Sequence, residues 1–224
     1  MRLPLKKRVV AEALGTFFLL AAVVGSGIMA ERLANGNTAL ALLANTAATA
    51  GALIALIMSL SSLSGAHFNP LVTLSCAWGG RLPWSETPYY LFAQIFGGIA
   101  GVVAANMMFG LPVVFLSHHA RAGTAQLFSE FVATLGLLSV IFGASRYHVA
   151  VVALAVGAYI SAAYWFTAST SFANPAVTIA RSLSDTFAGI RPLDVPGFLL
   201  AQIAGGAAAT ILFRWLMPVD CEGN

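Results

Sequence analysis

The amino-acid sequence predicts an all-α membrane protein with six transmembrane helices and two re-entrant half-helices in an inverted repeat. This prediction depends on composition, on six long apolar runs and on a pair of matching short motifs. Of the 224 residues, 59% are hydrophobic and only 8% are charged, and the mean hydropathy is +0.86. Such a composition leaves too little polar surface for an ordinary soluble domain. We therefore expect the chain to lie in a lipid bilayer.

Six apolar runs are long enough to cross a bilayer, which takes about 20 helical residues. The first run follows a basic arm at residues 1–8, an arrangement similar to that of a signal peptide. Its length and the presence of Glu12 near its start favour a retained helix instead. The arm also supplies most of the net charge of +3, so a nucleic-acid partner is not expected. The six runs lie at about 9–30, 38–63, 88–111, 127–145, 148–168 and 196–217.

Two short segments between these runs begin with the same Asn-Pro pair. Asn69-Pro70-Leu71 lies between the second and third runs, and Asn174-Pro175-Ala176 lies between the fifth and sixth. In each motif the Asn can cap a helix and the Pro can take its first position. The helices that follow, at about 69–79 and 174–187, are too short to cross the bilayer. We predict two half-helices whose partly positive N-terminal ends face each other near the middle of the membrane.

The two halves of the chain also match outside these motifs. Glu12 matches Glu130, and the sequence Gln-x-x-Gly-Gly begins at both Gln94 and Gln202. Each half contains three spans and one half-helix, and an odd number of spans inverts the second copy. We therefore predict a single domain over residues 1–224. Its inverted repeats cover about 9–111 and 127–217, joined by an outer loop at 112–126.

The paired motifs and the Ser-Gly-Ala-His sequence that ends at His67 resemble those of the major intrinsic protein family, the aquaporins and aquaglyceroporins. The resemblance covers essentially the whole chain. It implies an aquaporin-like fold, a passive channel with one pore per protomer, and a homotetramer. It also implies that Glu12 and Glu130 hold the backbone amides of the re-entrant loops, although a position at the membrane interface is the alternative for both. His67 is expected to shape the first loop, with a gating role as the alternative.

The family offsets place the narrowest ring of the pore at four residues, of which none is aromatic or charged. Val177 stands where the family usually has Arg, and a slip in the loop would bring in Tyr164 or Phe166 in place of Ala162. Such a ring is wide and suits water and small uncharged solutes such as glycerol, urea, boric acid and the hydroxides of trivalent arsenic or antimony. A mainly water-conducting pore is the alternative. The predicted ring consists of Thr49, Ala162, Ser171 and Val177.

Arg181 lies one helical turn beyond Val177 on the same face of the second half-helix. We hypothesise that its charge guards a wide outer vestibule and draws in weakly acidic solutes. The alternatives are that Arg181 pairs with Asp185 or extends to the surface.

Other classes of protein are disfavoured by what the spans lack. A secondary transporter needs ion-coupling groups, and an enzyme needs a cluster of catalytic side chains, a metal or a cofactor; the sequence suggests none of these. Cys76 and Cys221 do not suggest a disulfide. Basic residues are more numerous on one side of the spans, which places both termini in the cytoplasm. The short loops favour a bacterial inner membrane.

Overall fold

The computed structural model describes residues 2–217, so the predictions for Cys221 and the C-terminus lie outside the described residues. Within that range the chain forms eight α-helices and no β-strand. Six of the helices are long and apolar enough to cross a membrane, which confirms the predicted fold class. The helices are α1 (Leu5–Leu33), α2 (Thr38–Ser64), α3 (Pro70–Trp78), α4 (Thr87–Met108), α5 (Thr124–Ala144), α6 (Val149–Phe166), α7 (Pro175–Arg181) and α8 (Val195–Leu216).

The two short helices, α3 and α7, are enclosed by long helices from both halves of the chain. In the first half α1 packs against α4 and α2, and in the second half α5 packs against α8 and α6. The contact between α2 and α6 joins the halves, while α3 and α7 each touch both α4 and α8. Irregular backbone next to the half-helices is therefore covered by protein, as it must be at membrane depth.

Two matched glycines allow the long helices to approach each other closely. A Cβ atom on Gly97 would lie 2.3 Å from the carbonyl oxygen of Ala13, and one on Gly205 would lie 2.4 Å from that of Phe131. Neither position has room for a side chain. These contacts bring α4 onto α1 and α8 onto α5, because small residues let helix backbones meet in a membrane.

The second half-helix ends at Arg181, earlier than the predicted end near residue 187. The residues that follow it pair with the outer loop instead of continuing the helix. The amide of Phe115 donates to the carbonyl of Leu183 over 3.2 Å, and the amide of Ser117 donates to that of Ser182 over 3.0 Å. These two hydrogen bonds join the end of the second half-helix to the outer loop.

Candidate pore

A cavity of about 460 Å³ lies between the two halves and is walled by both re-entrant loops. One end, here called the arm end, is lined by Arg2, Arg8 and Arg81, and the opposite end, here called the Arg181 end, is lined by Arg181. Much of the remaining wall is apolar. The apolar lining residues include Leu19, Val23, Leu53, Ile57, Val72, Leu137, Ile141, Val152, Val156 and Ile160.

Asn69 and Asn174 both line this cavity, and each cross-links the two re-entrant loops. The Oδ1 atom of Asn69 accepts from the amide of Leu71 at 2.9 Å, and its Nδ2 atom donates to the carbonyl of Ala173 at 2.8 Å. Asn174 mirrors this arrangement, with Oδ1 accepting from Ala176 at 3.0 Å and Nδ2 donating to Phe68 at 2.8 Å. Each amide group therefore caps its half-helix and keeps a second N–H hydrogen for the cavity.

The loops that carry these asparagines repeat the same unusual backbone conformation. Ala66 has a φ of 50° and its counterpart Ser171 has 51°, while Phe68 has 47° and its counterpart Ala173 has 48°. A positive φ outside glycine is strained and persists only where the surroundings enforce it. The carboxylates of Glu12 and Glu130 accept hydrogen bonds from amides of these loops and hold them in place.

Glu12 is fully buried and binds the first re-entrant loop with both of its oxygens. Its Oε1 accepts from the hydroxyl of Ser64 at 2.6 Å and the amide of His67 at 3.0 Å. Its Oε2 accepts from the amide of Phe68 and from Nε2 of Gln94, both at 2.8 Å. Glu12 thus lies in the protein interior, away from the interface position that was the alternative.

Glu130 is also fully buried and holds the second loop in the same way. Its two oxygens accept from the amides of Phe172 and Ala173, each at 2.9 Å, and Oε2 also accepts from Nε2 of Gln202 at 2.6 Å. The two glutamine side chains extend the match, because Gln94 donates to Thr73 at 2.9 Å and Gln202 donates to the equivalent threonine, Thr178, at 2.8 Å.

His67 lines the cavity between the first loop and the arm end. Its Nδ1 lies 3.0 Å from the hydroxyl of Thr73, which ties the ring to the first half-helix. Cys76, a free cysteine of the same half-helix, also lines the cavity. Both positions suit residues that shape the wall of a pore.

Three of the four predicted ring residues line the cavity, namely Thr49, Ser171 and Val177. All three are buried, with exposed fractions of 3%, 3% and 6%. The hydroxyl of Ser171 has no hydrogen-bond partner within residues 2–217. A buried hydroxyl in a cavity wall is available to a passing solute, because leaving it unpaired costs free energy.

The fourth predicted ring residue, Ala162, differs from the expectation. Ala162 is exposed on the outside of α6 and does not line the cavity. Tyr164, buried on another face of that helix, lines it instead, and its hydroxyl donates to that of Thr49 over 3.3 Å. The two-residue shift follows the helical repeat, which turns positions 162 and 164 to different sides. This end of the cavity therefore contains the aromatic ring of Tyr164, which was the stated alternative to Ala162.

Arg181 lines the cavity and takes neither alternative considered from the sequence. Its Nε donates to the carbonyl of Ala188, and its guanidinium carbon lies 3.5 Å from the centroid of the Phe172 ring. Asp185 binds the backbone and ring of His118 instead, and only 2% of Arg181 is exposed, so it does not extend to the surface. The guanidinium group of Arg181 therefore lies at the cavity wall, one helical turn beyond the uncharged ring that the family offsets predict.

Leu71 departs from the usual Ala of the motif and packs beside Gly206 of α8. A Cβ atom built on Gly206 would lie 3.5 Å from Cδ1 of Leu71. The matching site of the other half pairs Ala176 with Gly98, whose Cβ would lie 3.6 Å from the carbonyl oxygen of Ala176. Leu71 is 5% exposed and does not line the cavity, so it fills space behind the cap.

A buried arginine organises the arm end. Arg8 donates through two nitrogens to Glu86 at 2.7 and 2.8 Å and through Nε to the carbonyl of Leu3 at 2.9 Å. Tyr90 adds a hydrogen bond from its hydroxyl to the carbonyl of Ser64 at 2.9 Å. The sequence predicts only that Arg8 belongs to the basic arm, because no local pattern indicates that its side chain folds inward.

Comparison with known proteins gives consistent matches. A family model described as "Major intrinsic protein" matches residues 1–147. Aquaglyceroporin AqpS of Rhizobium meliloti (strain 1021) is 54% identical over 213 residues, which cover 95% of this chain and 91% of that protein. Aquaporin NIP1-3 of Oryza sativa subsp. japonica is 35% identical over 215 residues, covering 92% of this chain and 73% of that protein.

A solved structure has the same fold. The X-ray structure of the aquaglyceroporin from Plasmodium falciparum aligns with a TM-score of 0.71, covering 97% of this chain and 98% of that one. The sequence identity is 22%, so this match shows the fold alone.

Proposed function

The chain belongs to the major intrinsic protein family of membrane channels for water and small solutes, and we propose that it is an aquaglyceroporin with a wide, arginine-free ring. The proposed solutes are glycerol, urea and neutral metalloid hydroxides such as arsenite, as well as water. Flow is passive and downhill. The protein is not an enzyme, because the family and its aquaglyceroporin members are channels.

The observation that carries this proposal is the mixed chemistry of the ring around Val177. Ser171 offers a hydroxyl without a protein partner, and Thr49 offers a second one that is shared with Tyr164. Val177 and the ring of Tyr164 provide apolar surface. A polyol has hydroxyls along one edge and carbons along the other, so a wall with both characters replaces its hydration while leaving its carbon side in apolar contact.

Ion exclusion near the centre is assigned to the paired caps. The N-terminal ends of α3 and α7 carry partial positive charge. Asn69 and Asn174 each retain one N–H hydrogen for a passing oxygen atom, since the other is bound to the opposite loop. A water molecule that accepts both hydrogens has its own hydrogens turned away, which interrupts proton relay along the pore.

The proposed setting is a bacterial inner membrane, with both termini in the cytoplasm and four protomers per assembly. The domain is proposed to be one channel unit, with inverted repeats at about 9–111 and 127–217 joined by the loop at 112–126. The strong likeness to a rhizobial protein supports the bacterial membrane. Native mass spectrometry of the detergent-solubilised protein tests the tetramer, and a monomer as the sole species contradicts it.

Stopped-flow volume changes of liposomes containing the protein test the solute range. We expect wild-type vesicles to pass glycerol, urea and arsenite as well as water. Val177→Arg is expected to reduce glycerol flux by about tenfold or more relative to water, because a barrier change of roughly 1.4 kcal/mol has that effect. Val177→Leu, which adds bulk without charge, serves as the matched control. It is expected to reduce glycerol flux relative to water flux less than Val177→Arg does.

Each contrary result identifies another function. Water flux without glycerol flux in the wild type indicates the mainly water-conducting alternative. Accumulation of solute against its gradient indicates a secondary transporter. Equal glycerol flux in Val177→Arg and wild type shows that Val177 does not line the narrowest ring.

A further inference from the structure

Two guanidinium groups lie close to one aromatic ring at the Arg181 end of the cavity. The guanidinium carbon of Arg181 lies 3.5 Å from the centroid of the Phe172 ring, and that of Arg121 lies 5.0 Å from it. Both arginines are buried, with exposed fractions of 2% and 7%. Phe172 itself follows Ser171 in the second re-entrant loop and lines the cavity.

Most hydrogen bonds of these two arginines go to carbonyl groups, and Arg121 also donates to the hydroxyl of Thr170 at 3.4 Å. Arg121 donates to the carbonyls of Gly189 at 2.8 Å, Ser169 at 3.1 Å and Phe187 at 3.5 Å. Arg181 donates to the carbonyl of Ala188. Three consecutive carbonyls, at 187, 188 and 189, are therefore bound by two guanidinium groups, which fixes the returning chain against the pore.

No carboxylate among residues 2–217 forms a salt bridge with either guanidinium group. Glu130 is the buried carboxylate near this cluster, and its oxygens accept from the amides of Phe172 and Ala173. Asp185 accepts from His118, and Asp194 accepts from Arg191 and from the backbone amide of Arg121. Neither guanidinium group thus has a direct ionic partner among residues 2–217. Glu130 can offset at most one of the two positive charges, and screening by water is weak in this buried setting.

Arg181 presents its charge to the cavity. It lines the wall together with Ser171 and Val177, and its terminal nitrogens form no hydrogen bond within the described part of the chain. Arg121 does not line the cavity and acts through Phe172 and the 187–189 carbonyls. The guanidinium of Arg181 lies over the Phe172 ring, and the attraction between the cation and the aromatic face favours this position.

We propose that the cluster of Arg121, Phe172 and Arg181 is the charge filter of this pore, repelling cations one helical turn outside the Val177 ring. The inference rests on the proposed channel function and assigns its ion selectivity to named residues. Val177 leaves the ring wide for neutral solutes, and the displaced positive charge rejects cations of similar size. Arg181 is the group that faces the ion path, and Arg121 positions it.

The test compares cation flux with glycerol flux in the same liposomes. Methylammonium uptake reports a small organic cation, and an internal pH dye reports protons. Arg181→Gln is expected to raise the methylammonium-to-glycerol ratio by about 10- to 100-fold, because removing a poorly screened unit charge a few ångströms from the path changes cation entry by that order. Arg181→Lys keeps the charge without the planar fork and is expected to stay close to the wild-type ratio.

A second pair of variants tests the charge without removing the arginine contacts. Val177→Glu places a carboxylate one turn from Arg181 and is expected to raise the methylammonium-to-glycerol ratio. Val177→Gln is the uncharged control and is expected to leave this ratio unchanged. Arg121→Gln is expected to raise the methylammonium-to-glycerol ratio less than Arg181→Gln does, since Arg121 does not line the cavity.

The outcomes separate this inference from the channel proposal. Arg181→Gln that conducts glycerol with a wild-type cation ratio overturns the charge filter and leaves the arginines as structural supports of the loop. If Arg181→Gln does not fold, a wild-type methylammonium-to-glycerol ratio in Val177→Glu also overturns the charge-filter proposal. Absence of glycerol flux in the wild type overturns the channel proposal instead.

Discussion

The hydroxyl of Tyr164 donates a hydrogen bond to the hydroxyl of Thr49 over 3.3 Å, joining α6 of one half to α2 of the other at the cavity wall. Both residues line the cavity, and 3% of each is exposed. Val177 lines the same cavity, and the hydroxyl of Ser171 in its wall has no hydrogen-bond partner among residues 2–217. This part of the cavity wall is therefore joined by a contact between residues 115 positions apart in the chain.

Removal of the Tyr164 ring is expected to widen the pore. Tyr164→Ala should raise the flux of solutes larger than glycerol, such as erythritol, relative to glycerol by about tenfold, since loss of a buried aromatic opens space and lowers the barrier by roughly 1–3 kcal/mol. Tyr164→Phe keeps the ring but frees Thr49, and is expected to alter the ratio less. Stopped-flow liposome measurements give both values.

Ala162→Val is the matched control because Ala162 lies on the exposed side of α6. Its solute profile is expected to match that of the wild type. A change in solute size limit in Ala162→Val, with none in Tyr164→Ala, returns the ring position to Ala162.

Glu12→Gln and Glu130→Gln are each expected to lower the free energy of unfolding by about 2–4 kcal/mol, because an amide NH2 then faces backbone donors in a buried site. Thermal unfolding in detergent measures the loss. Glu31→Gln, an exposed change in the same helix as Glu12, is the control and is expected to have little effect. Equal stability of the wild type and both variants shows that the carboxylates do not hold the strained loops.

The glycine contacts predict a sharp difference between similar substitutions. Gly97→Ala and Gly205→Ala are each expected to destabilise the fold by about 1–3 kcal/mol or to prevent assembly, since the new methyl group meets a carbonyl oxygen and overpacks the contact. Gly51→Ala has nothing within 4 Å of its added Cβ and should be neutral or slightly stabilising. Unfolding midpoints of the three variants in one detergent provide the comparison.

The ion pair at the arm end should respond to pH in one direction. The hydrogen bond from Arg8 holds the pKa of Glu86 below its ordinary value of 4.5. A carboxyl whose pKa is lowered by folding stabilises the folded state above its ordinary pKa, and this contribution is lost as the pH falls through the lowered value. Glu86→Gln should be less stable than the wild type at pH 7 by about 1–3 kcal/mol, because Arg8 then loses its charged partner.

The stability difference between Glu86→Gln and the wild type should shrink as the pH falls below about 4.5. Arg2→Gln is the control, since Arg2 is half exposed and only 3.7 Å from Glu86; we expect a change of about 0.5 kcal/mol or less. A difference between Glu86→Gln and the wild type that stays constant down to acid pH contradicts the assigned role of the ion pair.

The sequence predicted the architecture well because its signals are local or repeated. Apolar runs of span length report helices directly, and the Asn-Pro pairs at 69–70 and 174–175 mark half-helix starts, as observed at Pro70 and Pro175. The internal match also brought Gln94 and Gln202 into register. The two halves also match at Thr73 and Thr178. The alignment of the halves could therefore have predicted the hydrogen bonds from Gln94 to Thr73 and from Gln202 to Thr178.

The sequence by itself determined a membrane-embedded helical fold with two capped half-helices, since hydropathy, capping residues and the repeat depend only on neighbours along the chain. Only the tertiary structure decided what faces the pore. Tyr164 in place of Ala162, Arg121 folded onto the carbonyls at 187–189 and Arg8 turned toward Glu86 all join segments far apart in sequence. The direction of a side chain depends on which distant backbone supplies its partner, and no local pattern encodes that choice.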